Sequence, residues 1–232
     1  MTVLVEGVKH LDLDLDDRQI ALFAMYREHL LRWNARTNLI SRADEERILT
    51  HHFLDSLSGL PAIDLPPHPV LLDLGSGAGF PGLPIRIACP QMRIVLLDSK
   101  WKKARFLESV IQHLALTETR PIRARAEMLD DVPEHRAQYH VVLARGVSDM
   151  STLVDLAWPL LRPSGVLVAY KGPDVSEEIK ALGGHRHRAT LSSVHTSCVP
   201  REIDRITGKS RVIVRVQKAG GPIRSQEETI HE

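Results

Sequence analysis

Glycines and a carboxylate follow two successive predicted strands, where they could bind a nucleoside. The first strand, Val70–Leu74, leads directly into the glycine-rich loop GSGAGFPG at 75–82, and the second ends at Asp98, 23 residues after Gly75. Glycines let the backbone turn tightly and approach a ligand closely. A carboxylate at this position can accept hydrogen bonds from both hydroxyls of a ribose. The pattern therefore predicts a nucleoside-binding site across the two strand ends.

Two cofactor classes could use this loop. It contains the G-x-G-x-x-G spacing of dinucleotide-binding enzymes, at Gly77, Gly79 and Gly82. That spacing begins two residues after the strand end, however, and Pro81 and Pro84 remove backbone donors that a pyrophosphate needs. In the register that starts at the strand end, Phe80 occupies the place of the third glycine. The loop therefore favours S-adenosylmethionine over a nicotinamide dinucleotide, and a loop that serves only as a turn is the third alternative.

Alternating strands and helices must hold these residues in place. Further strands are predicted at 93–98, 120–125, 139–144, 166–170, 190–196 and 211–216, and helices at 101–115, 150–161 and 175–182. Such alternation is typical of an α/β fold with a doubly wound, mostly parallel sheet, here of seven strands, and helices on both faces. Ligands of such sheets bind beyond the carboxyl ends of the strands.

The residues before the first strand predict an N-terminal helical extension and linker, 1–69. Asp16 can cap a helix because Gln19 follows three residues later. A second helix is expected to begin at Asp44, and the proline-rich stretch 60–69 should not sustain a helix. The cofactor-binding α/β unit would then span 70–219, followed by a polar tail at 220–232.

Composition sets broad limits. Hydrophobic residues make up 43% and charged residues 25% of the 232 residues, which is ordinary for a globular protein. No apolar run reaches the roughly 20 residues that span a bilayer, and two cysteines do not suggest a disulfide framework, so we expect a cytoplasmic protein. The net charge of +1 conceals two basic blocks, 86–125 and 183–232. They fit either a polyanionic partner or solvated helix faces.

Several stretches, taken in order, resemble a known family. They are WNARTNL (33–39), HFLDS (52–56), DLGSGAGFPGLPI (73–85), LLDSKWKKARFL (96–107), RAEML (125–129), VVLARGV (141–147) and PLLRPSGVLVAYKG (159–172). The chain resembles the small-subunit ribosomal RNA guanine-N7 methyltransferases, also called the glucose-inhibited division protein B family, over roughly residues 20–217. The combination of FPGLP with the upstream stretches is specific, whereas the glycine loop alone is not.

The resemblance implies a class I S-adenosylmethionine-dependent methyltransferase fold. It implies a guanine of 16S rRNA, naked or in the 30S subunit, as substrate, and a monomeric enzyme is our expectation. Matched by position, the implied cofactor-binding residues are Gly75, Gly77, Phe80, Asp98, Ala126, Glu127 and Arg145. Gly75, Gly77 and Phe80 would line the methionine and ribose, while Ala126 and Glu127 would meet the adenine edge.

Guanine N7 carries a lone pair and no proton, so methyl transfer to it needs no general base. Catalysis should then depend on orientation and on a water-poor site. Arg145 is the expected catalytic residue because an arginine can donate to guanine O6 or to a phosphate. Its alternative role is to pair with a nearby carboxylate. His52 and Asp55 could close the cofactor pocket or simply pack beneath it.

Lysines near the strand ends are candidates for contact with substrate RNA. Lys100 and Lys103, with Lys102 and Arg105, predict a phosphate-binding track, and Lys171 follows the fifth strand; plain solvated surface is the alternative for each. No metal site is expected, because no H-x-x-x-H or C-x-x-C spacing occurs. Two other functions stay open: methyl transfer to another substrate, and a nucleoside-binding regulatory protein without a catalytic step.

Overall fold

Seven strands form one sheet in the computed structural model, which describes residues 1–63 and 66–220. The strands are β1 (Val70–Leu74), β2 (Arg93–Leu97), β3 (Thr119–Ile122), β4 (Tyr139–Arg145), β5 (Leu161–Lys171), β6 (Leu191–Cys198) and β7 (Val212–Lys218). Their order is β3-β2-β1-β4-β5-β7-β6. The first five strands are parallel, and β7 runs antiparallel between β5 and β6. The predicted doubly wound, mostly parallel seven-stranded sheet is confirmed.

Apolar strands explain why the sheet is covered on both faces. Successive side chains of a strand point to opposite faces, and both Leu71 and Leu72 of β1 are fully buried. Leu71 belongs to a core that also contains Phe106, whereas Leu72 belongs to a second core with Met150 and Val154. Near-continuous apolar strands of this kind are typical of parallel sheets with helices on each side.

Eight α-helices accompany the sheet in the described ranges. They are α1 (Thr2–Lys9), α2 (Asp17–Thr37), α3 (Asp55–Leu57), α4 (Gly82–Ala88), α5 (Trp101–His113), α6 (Met150–Ala157), α7 (Ser176–Ala181) and α8 (Arg201–Thr207). The predicted capping box at the start of α2 is confirmed: Gln19 N donates to Asp16 Oδ1 over 2.7 Å, and Asp16 N donates to Gln19 Oε1 over 2.8 Å. The short helices α1 and α8 were not expected from the sequence.

The segment between α2 and β1 differs from the prediction. A helix does not begin at Asp44; instead a 3₁₀-helix covers Arg42–Arg47, a π-helix covers Ile48–Leu54, and α3 continues it. Ser41 is the cap, since its hydroxyl accepts from Asp44 N over 3.2 Å. The stretch 60–69 contains one 3₁₀ turn, Leu60–Ala62, and 64–65 lie outside the described residues.

Other boundaries moved for simple reasons. The helix predicted at 150–161 ends at Ala157, because Leu161 already pairs with Tyr139 at the start of β5. The predicted tail, 220–232, lies outside the described residues except for Gly220. Within the described ranges, no helix combines the length and apolar character that crossing a membrane requires.

The N-terminal helices pack on one face of the sheet. Leu4 of α1, Phe23 of α2 and Phe53 of the π-helix are fully buried and share a core with Leu83 of α4 and Leu71 of β1. The segment before β1 is therefore built into the core beneath the glycine loop. This packing brings polar side chains of the π-helix and α3 close to the carboxyl ends of the strands.

Candidate active site

Asp73, in β1, organises the glycine loop. Its Oδ2 accepts hydrogen bonds from Ser76 Oγ over 2.6 Å and from Gly82 N over 2.9 Å. Burial raises the pKa of this carboxyl to about 6, although the hydrogen bonds from Ser76 and Gly82 work in the opposite direction. Its Oδ1 has no hydrogen-bond partner among the described residues. Asp73 is a loop-forming residue to which the strand pattern alone assigns no role.

The loop requires glycine at several positions, and Gly75 and Gly82 show the reason. Gly75 has φ 73°, in the left-handed region that favours glycine, and a Cβ there would lie 2.8 Å from Val147 Cγ2. A Cβ on Gly82 would lie 2.6 Å from Leu96 Cδ2 and 2.7 Å from Asp73 Oδ2. The loop therefore fits closely between the ends of three neighbouring strands.

Asp98 follows β2 and holds the loop from the other side. Its Oδ2 accepts from Gly77 N over 3.0 Å, and its Oδ1 accepts from Lys100 N over 2.9 Å. Lys103 Nζ lies 3.5 Å from Oδ2. An ionised carboxylate has about four acceptor positions, so Asp98 can still accept from a ligand hydroxyl. The structure thus brings Asp98 and Gly77 together, as the nucleoside hypothesis requires.

A cleft of about 260 Å³ opens beside Asp98. Leu74, Leu97 and Leu156 contribute apolar wall, and the predicted residues Gly75, Asp98, Ala126 and Glu127 line it as well. Apolar walls suit a flat base, and carboxylates suit ribose hydroxyls and exocyclic amines. The cleft therefore has the chemistry of an adenosine site.

Phe80 lies in the layer beneath the loop. Its ring is 5% exposed and stacks on His52, with centroids 4.6 Å apart and an interplanar angle of 11°. Tyr26 and Phe53 pack around it at centroid distances of 5.8 and 6.1 Å. Phe80 is not among the residues that line the cleft beside Asp98, so its contact with a cofactor stays a prediction.

Arg145, the last residue of β4, is the centre of a buried polar cluster. Its Nη1 donates to Asp55 Oδ2 over 2.7 Å, and its Nη2 donates to His52 Nδ1 over 3.1 Å. Its guanidinium carbon lies 5.0 Å above the ring of Phe80, a cation–π distance. The carboxylate pairing that the sequence left open for Arg145 is thus present in the structure, and its contact with substrate stays a prediction.

Asp55 accepts hydrogen bonds from two arginines. Besides Arg145, Arg211 donates through Nε to Oδ1 over 2.7 Å and through Nη2 to Oδ2 over 3.1 Å. Asp55 is only 1% exposed. Burial alone would raise the pKa of this carboxyl, but the hydrogen bonds from Arg211 and the charges of both arginines hold it below its ordinary value.

His52 is a neutral acceptor in this cluster. Burial and the adjacent charge of Arg145 lower its pKa from 6.5 to about 3. Its Nε2 has no hydrogen-bond partner in the described part of the chain and lies 4.0 Å from Asp44 Oδ2. Neither His52 nor Asp55 lines the cleft beside Asp98, and both contact Arg145. Of the two roles left open for them, the geometry therefore favours packing beneath the site over closing the cofactor pocket.

A second, larger cleft of about 720 Å³ adjoins the first at Val147. Arg145, Lys171, Arg211 and Glu178 line it. Arg211 was not predicted from the sequence. The sheet topology explains its position: β7 runs antiparallel to β5 with Val212 paired to Lys171, so β7 starts where β5 ends, at the ligand edge.

Lys171 is fixed at the mouth of this cleft. Its Nζ donates to Ser148 O over 2.9 Å and lies 2.6 Å from Glu178 Oε2. The same carboxylate oxygen accepts from Met150 N over 2.8 Å. Glu178 therefore links the starts of α6 and α7 across the cleft and orients the ammonium group of Lys171.

Comparison with known proteins identifies the family. A sequence profile of the family described as rRNA small subunit methyltransferase G matches residues 19–206. The chain belongs to this family. It is 44% identical over 180 residues to ribosomal RNA small subunit methyltransferase G of Roseiflexus sp. (strain RS-1), covering 77% of this chain and 76% of the relative. It is 46% identical over 168 residues to the protein of that name from Roseiflexus castenholzii, covering 72% and 71%.

Solved structures agree on the fold. TYW2 from M. jannaschii, solved in complex with AdoMet, superposes with a TM-score of 0.54 and covers 78% of each chain at 14% sequence identity. At this identity the likeness bears on the fold alone. The chain has a class I S-adenosylmethionine-dependent methyltransferase fold, with the strand order 3-2-1-4-5-7-6.

The remaining candidate residues do not line either cleft. Lys100 is exposed just before α5. The ammonium group of Lys103 forms an ion pair with Asp98. His185 and His187 both approach Asp155, at 3.2 and 3.5 Å. Among the described residues, no group of three or more His, Cys, Asp or Glu side chains could hold a metal ion.

Proposed function

We propose that the chain transfers a methyl group from S-adenosylmethionine to N7 of a guanine in 16S rRNA. The observation that carries the proposal is the shared wall at Val147. It separates a nucleoside-type cleft beside Asp98 from a cationic cleft that contains Arg145. A methyl donor on one side and a nucleobase on the other would meet at the end of β4. The names of the relatives support rRNA of the small subunit as the substrate.

The cleft beside Asp98, which we call the donor cleft, fits S-adenosylmethionine. Three features support this fit. Asp98 retains acceptor positions for the ribose hydroxyls, Glu127 lines the same cleft and its carboxylate could accept from an adenine amino group, and Gly75 leaves room that a Cβ would fill. When bound, S-adenosylmethionine supplies an electrophilic methyl group on a sulfonium sulfur. The protein residues then need only to hold donor and acceptor in line, since such a displacement gains most from orientation.

The larger cleft that contains Arg145, which we call the acceptor cleft, fits guanine. Guanine presents N7 and O6 as neighbouring acceptors, and Arg145, Arg211 and Lys171 supply donors in this cleft. Asp55 fixes both guanidinium groups through charge-assisted hydrogen bonds. A donor held at O6 would aim N7 at the methyl group. We assign Arg145 to this step and Lys171 to O6 or to a phosphate.

No residue needs to remove a proton from N7. His52, the buried imidazole nearest to Arg145, would be a poor base because its pKa is lowered to about 3 and its Nδ1 already accepts from Arg145. This matches the chemistry of N7, whose lone pair attacks directly. It is less suited to methylation of an amino group, which must lose a proton.

Lys100 and Lys103 would contact the RNA backbone beside the opening of the donor cleft. Such contacts position the RNA without reading its sequence. We further propose that the enzyme acts as a monomer in the cytoplasm, where its ribosomal substrate is found.

Radiolabelled methyl transfer tests the proposal. Purified protein and labelled S-adenosylmethionine are incubated separately with 30S subunits, naked 16S rRNA and a small-molecule mixture. We expect label in rRNA, from 30S subunits, naked RNA or both. Label only in small molecules would indicate a methyltransferase with another substrate. Absence of label despite cofactor binding would indicate a nucleoside-binding protein without this reaction.

A further inference from the structure

Three exposed apolar side chains lie at the ligand edge of the sheet. Trp101 follows β2 and is 59% exposed, Met128 follows β3 and is 60% exposed, and Val147 follows β4 and is 38% exposed. Val147 is already part of both clefts. Trp101 and Met128 have no role in the site described above, and an indole left in water forgoes a large gain from burial.

Trp101 and Met128 both lie near the mouth of the donor cleft. Their strands are adjacent, with Leu97 of β2 paired to Ile122 of β3. Ser99, two residues before Trp101, and Arg125, three residues before Met128, line the same cleft. We call five exposed residues around this mouth the rim: Lys100, Trp101, Lys102, Arg125 and Met128. The exposed carboxylate of Glu127 lies beside them and lines the cleft.

The rim is cationic as well as apolar. Lys100, Lys102 and Arg125 are exposed. Against these three cations stand one exposed carboxylate, Glu127, which lines the cleft, and Asp98, which is 6% exposed. This charge disfavours a second copy of the same surface as the occupant. Exposed aromatic rings among lysines and arginines are the usual means of binding unpaired nucleic acid, because every base has a face that can stack.

The geometry of RNA also requires unpaired nucleotides here. Guanine N7 faces the major groove, which in A-form RNA is deep and too narrow for side chains to read. A guanine that reaches the cleft beside Arg145 must therefore be unstacked or in a loop. Its neighbours in the strand then also have base faces free to stack.

We propose that the rim binds an unpaired nucleotide next to the target guanine, with its base stacked on the indole of Trp101. Lys100, Lys102 and Arg125 contact the phosphates on either side. This inference rests on the proposed rRNA substrate and adds a second base-binding position to it. Trp101 is separate from the cofactor site, because Asp98 and Ser99 line the donor cleft and Trp101 does not.

Salt-dependent binding distinguishes stacking from charge. The dissociation constant for 16S rRNA or 30S subunits is measured over a range of salt concentrations for wild type, Trp101→Ala, Trp101→Phe and Lys102→Met. Met25→Ala, at an exposed apolar position of α2, is the control. We expect Trp101→Ala to weaken binding about 10-fold or more, Trp101→Phe to lie between it and wild type, and Met25→Ala to match wild type.

The salt slope should separate the two kinds of residue. Trp101→Ala should leave the slope of log K against log salt unchanged, whereas Lys102→Met should reduce it by about 0.7. RNA should also quench tryptophan fluorescence in wild type and not in Trp101→Phe.

Three results would overturn the inference. Wild-type affinity in Trp101→Ala would show that the indole does not contact RNA. Weaker binding of S-adenosylmethionine in that variant would assign Trp101 to the cofactor site. Failure of the wild-type protein to bind either RNA would reject the proposed function itself, and the stacking site with it.

Discussion

The guanidinium of Arg145 and the carboxylate of Asp55 are joined by a 2.7 Å hydrogen bond between residues 90 positions apart. This pair connects the end of β4 to α3, which precedes the sheet. Arg211 binds the same carboxylate from the start of β7. One buried anion thus fixes two cations of the proposed acceptor cleft.

Asp55→Asn should destabilise the protein and impair methyl transfer. Loss of the charge leaves two arginines without their counter-ion, and breaking a buried ion pair costs about 3–5 kcal/mol. Urea unfolding at pH 7 measures the free energy of unfolding. Asp14→Asn, at an exposed loop position, is the control and should match wild type. Wild-type stability of Asp55→Asn would refute the structural role given to this carboxylate.

Much of the fold follows from local patterns. The apolar strands, the capping box at Asp16 and the acid at 98 can all be identified within short windows. The structure confirms the strands and the capping box and places Asp98 directly after β2. The family-like stretches named the helical region 52–56 without explaining it. The role of this region depends on the contacts of His52 and Asp55 with Arg145 and Arg211, which lie far away in sequence.

What could not be predicted has physical causes. A π-helix over Ile48–Leu54 has no distinctive sequence pattern, because it depends on tertiary packing, with Ile48, Phe53 and Leu54 buried in the core. Arg211 reaches the site only because β7 is antiparallel. Phe80 matches a family position, yet the aromatic rings of Tyr26 and Phe53 surround it in the core.

Asp98→Asn should weaken binding of S-adenosylmethionine. A hydrogen bond to a charged group contributes about 1.5–3 kcal/mol, which corresponds to a dissociation constant about 10- to 150-fold higher. Isothermal titration calorimetry measures it directly. Glu108→Gln, on the exposed side of α5 in an ion pair with Arg105, should bind normally. An unchanged dissociation constant in Asp98→Asn would remove this residue from the cofactor site.

Gly82→Ala should disturb the glycine loop through overpacking. The new methyl would meet Leu96 Cδ2 at 2.6 Å and Asp73 Oδ2 at 2.7 Å, and overpacking of this kind costs about 1–3 kcal/mol. The melting temperature in thermal unfolding and the affinity for the cofactor should both be lower than in wild type. Gly183→Ala is a matched control, because a Cβ at Gly183 meets nothing within 4 Å. Equal behaviour of the two variants would contradict the close fit of the loop.

His52 should make stability fall at acidic pH. Burial and the charge of Arg145 lower its pKa from 6.5 to about 3. Between these values the unfolded chain binds a proton that the folded chain does not, so stability is lost as the pH falls below about 6.5. From pH 7 to pH 5 the loss is about 2 kcal/mol.

The comparison variant for this effect is His52→Gln, which can still accept a hydrogen bond from Arg145 and does not titrate. Urea unfolding of both proteins at pH 7 and pH 5 gives the difference. Wild type should lose about 2 kcal/mol more than the variant. Equal losses would mean that His52 is protonated alike in the folded and unfolded chains.

The most direct test of the central claim is to map N7-methylguanine in 16S rRNA. 30S subunits from cells that lack this protein are incubated with the purified protein and S-adenosylmethionine, and the rRNA is then cleaved chemically at N7-methylated guanines. We predict a new cleavage at one guanine, absent without protein and reduced with Asp98→Asn at limiting cofactor. Incorporation of methyl label into the rRNA without cleavage at any guanine would contradict methylation at N7.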